Sequence, residues 1–462
     1  MMRSLYAGVA GLKTHQTRMD VIGNNIANVN TTAYKSQSMT FSDLMYQTTQ
    51  AASGANATTG VGGTNARQIG LGSKTSAIKT AITQQGATQT TNDPFDVMIT
   101  GESFFVVNNG SENFFTRDGS FYVDGAGNLA MTSTGYNVMG WLPDTEDPTT
   151  IKKDTVTALR VMTEANMTYP AQATSKATFA GIIDTNDTNV TSKEGRVVNL
   201  EVYDNKGFKY TVRCSLHDAD NTKDDGVFFL QLDDILDSNG KSVVAAGAAL
   251  TDYVKFANAQ GPTADTTAYL RYSTKDGSFL SVGTDGTTTG QSTVSLDFNQ
   301  ANLPSFDDIT ADFSATSNQN NNGSSTFVGS KGGSKGIGSG RKVGEMSGIA
   351  IQKDGKIYAS YDNGQKRLLG QIAVASFSNA SGLSKEGDNL YSATQNSGDF
   401  NGVGEDITEG GGYMNSGVLE MSNVDLSAEF TEMITTQRGF QANSRIITVS
   451  DTLLEELTNL KR

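Results

Sequence analysis

Apolar residues recur at helical spacing at the two ends of the chain and almost nowhere between. Near the start, Leu5, Val9, Leu12, Gln16, Met19, Gly23 and Ile26 alternate by four and three, with Ile22 reinforcing the row. This heptad seam predicts an amphipathic helix over Leu5–Val29. Near the end, Leu426, Phe430, Met433, Gln437, Phe440, Ser444, Ile447, Asp451 and Leu454 repeat the spacing, and Ile446, Val449, Leu453, Leu457 and Leu460 form a second apolar row beside it. A second helix is therefore expected over Val424–Leu460. Its start signal is "SNVD", where Ser422 precedes Asp425 by three and resembles a capping box. At the usual helical rise the two segments would be about 37 Å and about 54 Å long. Neither can bury its stripe alone, so the two ends are expected to pair with each other or with other copies of themselves.

Between the helices the pattern shortens to strands and turns. "DVMITGESFFVVNNG" (96–110) reads as two strands, and "FFTRDGSFYVDGAGNLAMTSTGYNVMGW" (114–141) as a meander turning at Asp118-Gly119 and Asp124-Gly125. The same style returns in residues 348–377, with turns at Asp354-Gly355 and Asn363-Gly364. Further strands are expected at 196–216 and 226–232. Gly/Ser/Asn-rich stretches at 48–66 and 317–340 read as flexible loops or domain boundaries. The expected fold class is α+β, mainly β, with paired N- and C-terminal coiled-coil helices around nested, discontinuous β domains. The expected division places 1–35 with 423–462 in a helical core and 36–92 with 406–422 in an extended connecting region. It then places 93–150 with 340–405 in an inner β domain and 151–339 in an inserted outer one.

Composition supports a β-rich chain of several domains: 462 residues, 50 glycines and 6 prolines, 36% hydrophobic and only 18% charged. A net charge of −14 argues against a nucleic-acid surface, which needs clustered Lys and Arg. Residues 1–40 run the other way, with Arg3, Lys13, Arg18 and Lys35 against Asp20 alone. The single cysteine, Cys214, excludes an intrachain disulfide and reads as a small strand residue. No cleavable signal is expected at the N-terminus, and the longest mostly apolar run, "SVVAAGAAL" (242–250), is too short to cross a bilayer.

Candidate chemistry is sparse. The two histidines, His15 and His217, have no partner in the sequence that would make either a catalytic base. "GGSKG" around Ser334 matches a nucleophile elbow only in letters, since it lies in low-complexity sequence without a flanking strand and helix. "NGKS" (239–242) carries Ile235 where a phosphate loop needs its first glycine. "DADNTKDDG" (218–226) and "DTNDTN" (184–189) offer oxygen ligands but lack the glycine and bidentate Glu of a calcium loop. No enzyme site, cofactor site or metal site is expected.

What stands out is the amide cluster that ends the first helix: Asn24, Asn25, Asn28 and Asn30, followed by Thr31, Tyr34 and Lys35. Asparagine caps helices because it tolerates left-handed backbone, and short amides also hydrogen-bond neighbouring backbone. "SLYAGVAGLKTHQTRMDVIGNNIANVNTTAYKSQ" resembles the N-terminal signature of the bacterial flagellar rod and hook proteins. The blocks 68–78, 84–107, 114–141 and 417–457 agree, the last including Gln437-Arg438 and Asn443-Ser444. Together they span about the first 145 and the last 60 residues. The insertion of about 190 residues, with "LEMSNVDLS", is similar to the hook-type member of the family; rod-type members pass almost directly from the meander to the returning strands. "TAITQQGATQ" is more polar than the segment the family usually carries there.

The resemblance implies a subunit of a curved, flexible tube that acts as a universal joint, transmitting torque from rod to filament. It implies terminal helices that stay poorly ordered in a lone subunit and fold on stacking. Implied self-assembly residues are Leu5, Val9, Leu12, Met19, Ile22 and Ile26 of the first helix, the Asn24–Lys35 signature, and Leu426, Phe430, Met433, Gln437, Arg438, Phe440, Asn443, Ile447 and Leu454 of the last. Implied partners are further copies of the chain, the distal rod protein, the hook cap, the hook–filament junction proteins and the flagellar type III export apparatus. Export without cleavage to an extracellular hook is implied as well. A head-to-tail contact that does not close into a ring generates such a filament. Two alternatives stay open from sequence: a distal-rod-type subunit, and a secreted β-rich carbohydrate-binding or hydrolytic protein, although residues 151–340 lack tryptophan.

Overall fold

The computed structural model describes residues 2–54, 60, 62–219, 226–257, 266–283 and 290–460. The chain divides into two compact units, the first comprising Met1–Asn166, Gly348–Ala359 and Lys366–Arg462, the second Met167–Ser347 and Ser360–Gln365. Both predicted helices are present in the first unit, as Met2–Ala27 and Leu426–Asn459, and they pack on one another within a single chain.

The C-terminal helix starts differently from the capping box expected at Ser422. Its cap is Asp425, whose carboxylate accepts from the Ser427 and Ala428 amides at 2.9 and 3.2 Å. Asp425 reaches the first free amides directly and places its negative charge at the positive end of the helix. Ser422 Oγ instead accepts from the Val424 amide in the turn before it.

The β part of the first unit carries a sheet with Lys366–Ile372, Asn137–Trp141, Phe104–Asn108, Asn113–Thr116, Leu390–Ser392 and Ser384–Gly387 as successive neighbours. Phe104, Val106, Phe115 and Tyr391 fill its core, and Trp141 closes a second cluster with Val156 and Ala373. The buried indole donates to the carbonyls of Asp154 and Val403, both at 2.9 Å. One of the expected turns, Asp118-Gly119, is not where the dipeptide puts it, whereas the Asp124-Gly125 turn is closed by the Gly127 amide on the Asp124 carbonyl at 3.0 Å. Gly119 is no turn residue: a Cβ there would lie 1.7 Å from the Val97 carbonyl oxygen, so the glycine permits two backbones to cross closely. In the Asp124-Gly125 turn the left-handed position belongs to Gly127, at φ 83°. The turns at Gly355 and Gly364 are as expected, with φ of 80° and 78°. A long two-stranded hairpin, Gln37–Asp43 on Ser73–Thr80 and then Tyr46–Gln50 on Arg67–Gly70, follows the first helix.

The second unit is a sandwich of two five-stranded sheets. One sheet runs Val254–Ala257, Thr293–Phe298, Ile309–Asn318, Lys176–Ile183, Val328–Lys331; the other runs Arg196–Tyr203, Lys209–Asp218, Val227–Leu236, Thr267–Tyr272, Phe279–Gly283. Their inward residues alternate with outward ones and share one core, including Phe179, Leu200, Phe228, Phe256, Leu270 and Phe313. Cys214 lies in that core, and burial pushes its thiol pKa far up, so it is inert.

The candidate chemistry resolves structurally. Asp184 accepts the amides of Asn321 and Gly323, while Asp187 accepts that of Ser325 and faces Arg196 at 3.1 Å. Burial opposes ionisation there, yet the amides together hold both carboxyls below the ordinary aspartate range. These oxygens close a loop. Most of the other acidic stretch, residues 220–225, lies outside the described residues. Ser334 sits in a tight turn closed by the Gly336 amide on the Gly333 carbonyl, with no helix after it. Among the described residues no His/Cys/Asp/Glu group is arranged for a metal ion, and no helix is long and apolar enough to cross a membrane.

Candidate functional site: the paired terminal helices

The helices run antiparallel. A Cβ placed on Gly8 would meet Ile447 at 3.3 Å, one on Gly11 would meet Asn443 at 2.8 Å, and one on Gly439 would meet His15 at 2.7 Å. Arg18 pairs with Glu432 at 3.0 Å, and Asn25 donates to Glu429 at 2.8 Å. Each step forward on one helix is thus a step back on the other.

The seam between them follows the apolar heptad only in part. On the first helix the buried residues are Gly8, Gly11, Thr14, Val21, Ile22 and Asn25. Leu5, Leu12, Met19 and Ile26 are partly buried beside them, and Val9 is 48% exposed. On the last helix the inward row is Glu429, Met433, Thr436, Phe440, Asn443, Ile447, Ser450 and Leu454, a four-three repeat in which Thr436 and Ser450 are fully buried. Met433, Phe440, Asn443, Ile447 and Leu454 thus face inward, whereas Leu426 and Phe430 are 38% and 50% exposed and Gln437 and Arg438 face outward. The physical reason is size. Small residues let the two backbones approach closely at Gly8, Gly11 and Gly439. The signal was present as Gly8-x-x-Gly11-x-x-Thr14 with Gly439, but an apolar-only pattern passes over it.

An apolar row is therefore left outward. Ile446, Val449, Leu453, Leu457 and Leu460 on the last helix are 43 to 82% exposed, and Met2, Tyr6 and Val9 at the same end of the first helix are 48 to 62% exposed. Continuing the register from Gly8 opposite Ile447 puts Met2 opposite Leu453, so the last helix runs past its partner's start and carries Leu457 and Leu460 with it.

At the other end of the pair, the asparagine signature forms a compact polar node. Asn25 is completely buried and saturated: its Nδ2 donates to the Gln37 carbonyl and to Glu429 Oε1 at 2.7 and 2.8 Å. Its Oδ1 accepts from the Gln37 amide and the Tyr34 hydroxyl at 2.9 and 3.2 Å. Asn24 donates to the same Tyr34 hydroxyl at 3.1 Å, and Asn28 Nδ2 caps the helix by donating to the Asn24 carbonyl at 2.9 Å. Thr31 bonds Asn28, and Asn30 is exposed. The left-handed residue at this helix end is Ala33, at φ 54°, and none of the four asparagines. Ala33 is held there by a hydrogen bond that its N–H donates to the Glu420 carbonyl at 2.8 Å.

Electrostatics follow from burial. Desolvation raises the pKa of Tyr34, with Glu429 adding to it, and desolvation likewise raises that of Glu429, whose Oε2 finds no hydrogen-bond partner. His15, against Phe41 and Gly439, has its pKa lowered by burial and then by Arg18. Lys35 is sealed from solvent with its ammonium on Glu420 at 2.6 Å and on the Gln84 carbonyl at 2.7 Å. Burial lowers its pKa, and the glutamate opposes that shift. The helix pair thus leaves one apolar row exposed to solvent.

Comparison with known proteins gives the family. Residues 5–35 match the family described as "Flagella basal body rod protein", residues 98–177 "Flagellar hook protein FlgE/F/G D1 domain", and residues 415–460 "Flagellar basal body rod FlgEFG protein C-terminal". The chain is 34% identical to the flagellar hook protein FlgE of Treponema pallidum and 34% identical to that of Borreliella burgdorferi, in both cases over 100% of each chain. It is 29% identical to the flagellar basal-body rod protein FlgG of Bacillus subtilis, also over 100% of each. With its two helices paired at the termini, its β units nested between them and its likeness to these two hook proteins running end to end, the chain belongs to the flagellar hook protein family.

Proposed function

We propose that the chain polymerises through its paired terminal helices into the flagellar hook, the flexible tube that passes torque from rod to filament, and that the outward apolar row is the contact by which copies join. The observation that carries this is the row itself: Ile446, Val449, Leu453, Leu457 and Leu460 remain exposed after the helices have paired. A stripe of that length on a polar, acidic chain marks a protein contact surface. The role is structural. The flagellar parts at either end of the tube, the distal rod protein, the hook cap and the hook–filament junction proteins, are the partners this role requires. Delivery by the flagellar type III export apparatus to an extracellular hook, without cleavage, fits a chain that keeps its N-terminal helix as part of the joint.

The test compares the wild type with Val449→Glu/Leu453→Glu under polymerising conditions by electron microscopy. Both residues are exposed, so the monomer's stability should change by no more than about 0.5 kcal/mol. Tubes are expected from the wild type and none from the variant. Normal tubes from the variant would remove the row from the interface.

A further inference from the structure

Five asparagines in the chain are followed directly by glycine: Asn109, Asn239, Asn322, Asn363 and Asn401. Such a pair is the least hindered place for a main-chain amide to attack a side-chain carbonyl, because glycine has no Cβ to crowd the approach. Reaction then depends on the glycine N–H, which becomes the nucleophile once its proton has left. In four of the five pairs that N–H is held. Gly110 donates to Asn108 Oδ1 at 2.5 Å and Gly323 to the buried Asp184 carboxylate at 2.8 Å. Gly240 donates to the Asp237 carbonyl and Gly364 to the Tyr361 carbonyl, both at 3.0 Å. The Gly402 amide donates no such bond among the described residues.

The carbonyl that Gly402 would attack is drawn the other way. Asn401 Oδ1 accepts from the Val403 amide at 3.0 Å and from the Gly404 amide at 3.3 Å. Two backbone donors on one carbonyl oxygen make its carbon more electrophilic and stabilise the negative charge the oxygen gains on attack. The loop around them is anchored: the Gly402 carbonyl accepts from the Val156 amide at 3.0 Å, and the Val403 carbonyl from the buried Trp141 indole at 2.9 Å. Asn401 itself is exposed, so water and hydroxide reach it.

We propose that Asn401-Gly402 is a site of self-modification, at which the folded loop converts asparagine to aspartate and isoaspartate without an enzyme. Hydroxide removes the Gly402 amide proton. The nitrogen bonds to Asn401 Cγ, and the charge passes to Oδ1 between the Val403 and Gly404 amides. The Cγ–Nδ2 bond then breaks, and Nδ2 leaves as ammonia with a proton from water. The cyclic imide left behind takes up water. Opening at Cγ gives aspartate; opening at the main-chain carbonyl gives isoaspartate, whose backbone runs through the former side chain. On balance water enters, ammonia leaves and nothing is oxidised or reduced. The new carboxylate lies a few residues from Glu405 and Asp406, so the first unit gains negative charge at one fixed place as the protein ages. The inference does not depend on the polymerising role.

The experiment incubates full-length protein, folded and in urea, at neutral and mildly alkaline pH. Mass spectrometry follows the peptides covering all five pairs, and enzymatic methylation reads isoaspartate. In the folded protein Asn401 should react about tenfold faster than each of the other four, whose glycine amides must first give up a hydrogen bond. Its product should include isoaspartate, and its rate should rise with pH. In urea the five pairs should agree within about threefold, since the difference comes from the fold. Asn401→Gln, which needs a larger ring to close, should lose the reaction at that peptide alone. An Asn401 no faster than the other four in the folded protein, the same lead persisting in urea, or aspartate without isoaspartate would overturn the assignment.

Discussion

At the scale of single residues, Asn25 carries the strongest consequence. Its four hydrogen bonds fix Gln37, Tyr34 and Glu429 around the end of the first helix, so Asn25→Ala strands several buried partners at once. A loss of about 3 kcal/mol in urea unfolding is expected, against less than about 0.5 kcal/mol for Asn30→Ala at an exposed position. Glu429 makes the pair sensitive to pH. Its folded-state pKa is raised by burial and by the Glu432 and Asp425 carboxylates, with the Asn25 bond and Arg18 opposing. The folded form therefore holds the proton more tightly than the unfolded one. Its contribution to stability is greatest below the ordinary value of 4.5 and is lost as pH rises through the raised value toward neutrality. Glu429→Gln should stabilise the pair at neutral pH and flatten this dependence, as read by amide exchange in the two helices across a pH series. The asparagine cluster was legible as a capping and backbone-bonding motif. Which amide is buried was not, because that depends on Glu429, more than 400 positions away in sequence.

Among the elements, the helices were legible to within three residues at each end, since long periodic segments declare themselves. Their contact face was legible only in part. Glycine carries no weight in an apolar pattern, yet Gly8, Gly11 and Gly439 let the backbones meet. The same residue type on the first helix should consequently respond with opposite sign. Gly11→Leu drives a side chain into Asn443 and should lower the melting temperature and split the pair. Gly23 has nothing within 4 Å of the point a methyl carbon would occupy, so Gly23→Ala should gain about 1 kcal/mol from helix propensity alone. Hairpins such as Arg196–Tyr203 on Lys209–Asp218 follow from local alternation and turn residues. The parallel pairing of Lys176–Ile183 with Ile309–Asn318 does not, because strand partners separated by over a hundred residues leave no local trace.

For the molecule as a whole, residues 167–347 hold a core of their own, and we propose that they form the outer domain. Expressed alone, this segment should unfold in one cooperative transition, with Cys214 alkylated only as the core opens. Because that thiol is sealed, an engineered cysteine at exposed Phe208 gives a clean attachment point. Cross-linking it between neighbouring subunits should stiffen the tube, measured as a longer persistence length in micrographs. The two helices also differ in length, 26 residues against 34, or about 39 Å against about 51 Å. The surplus forms a tooth without a socket in its own subunit. We propose that copies meeting end to end overlap like offset bricks, so that no joint runs straight across the wall and a pull along the axis loads helices in shear before it can part them.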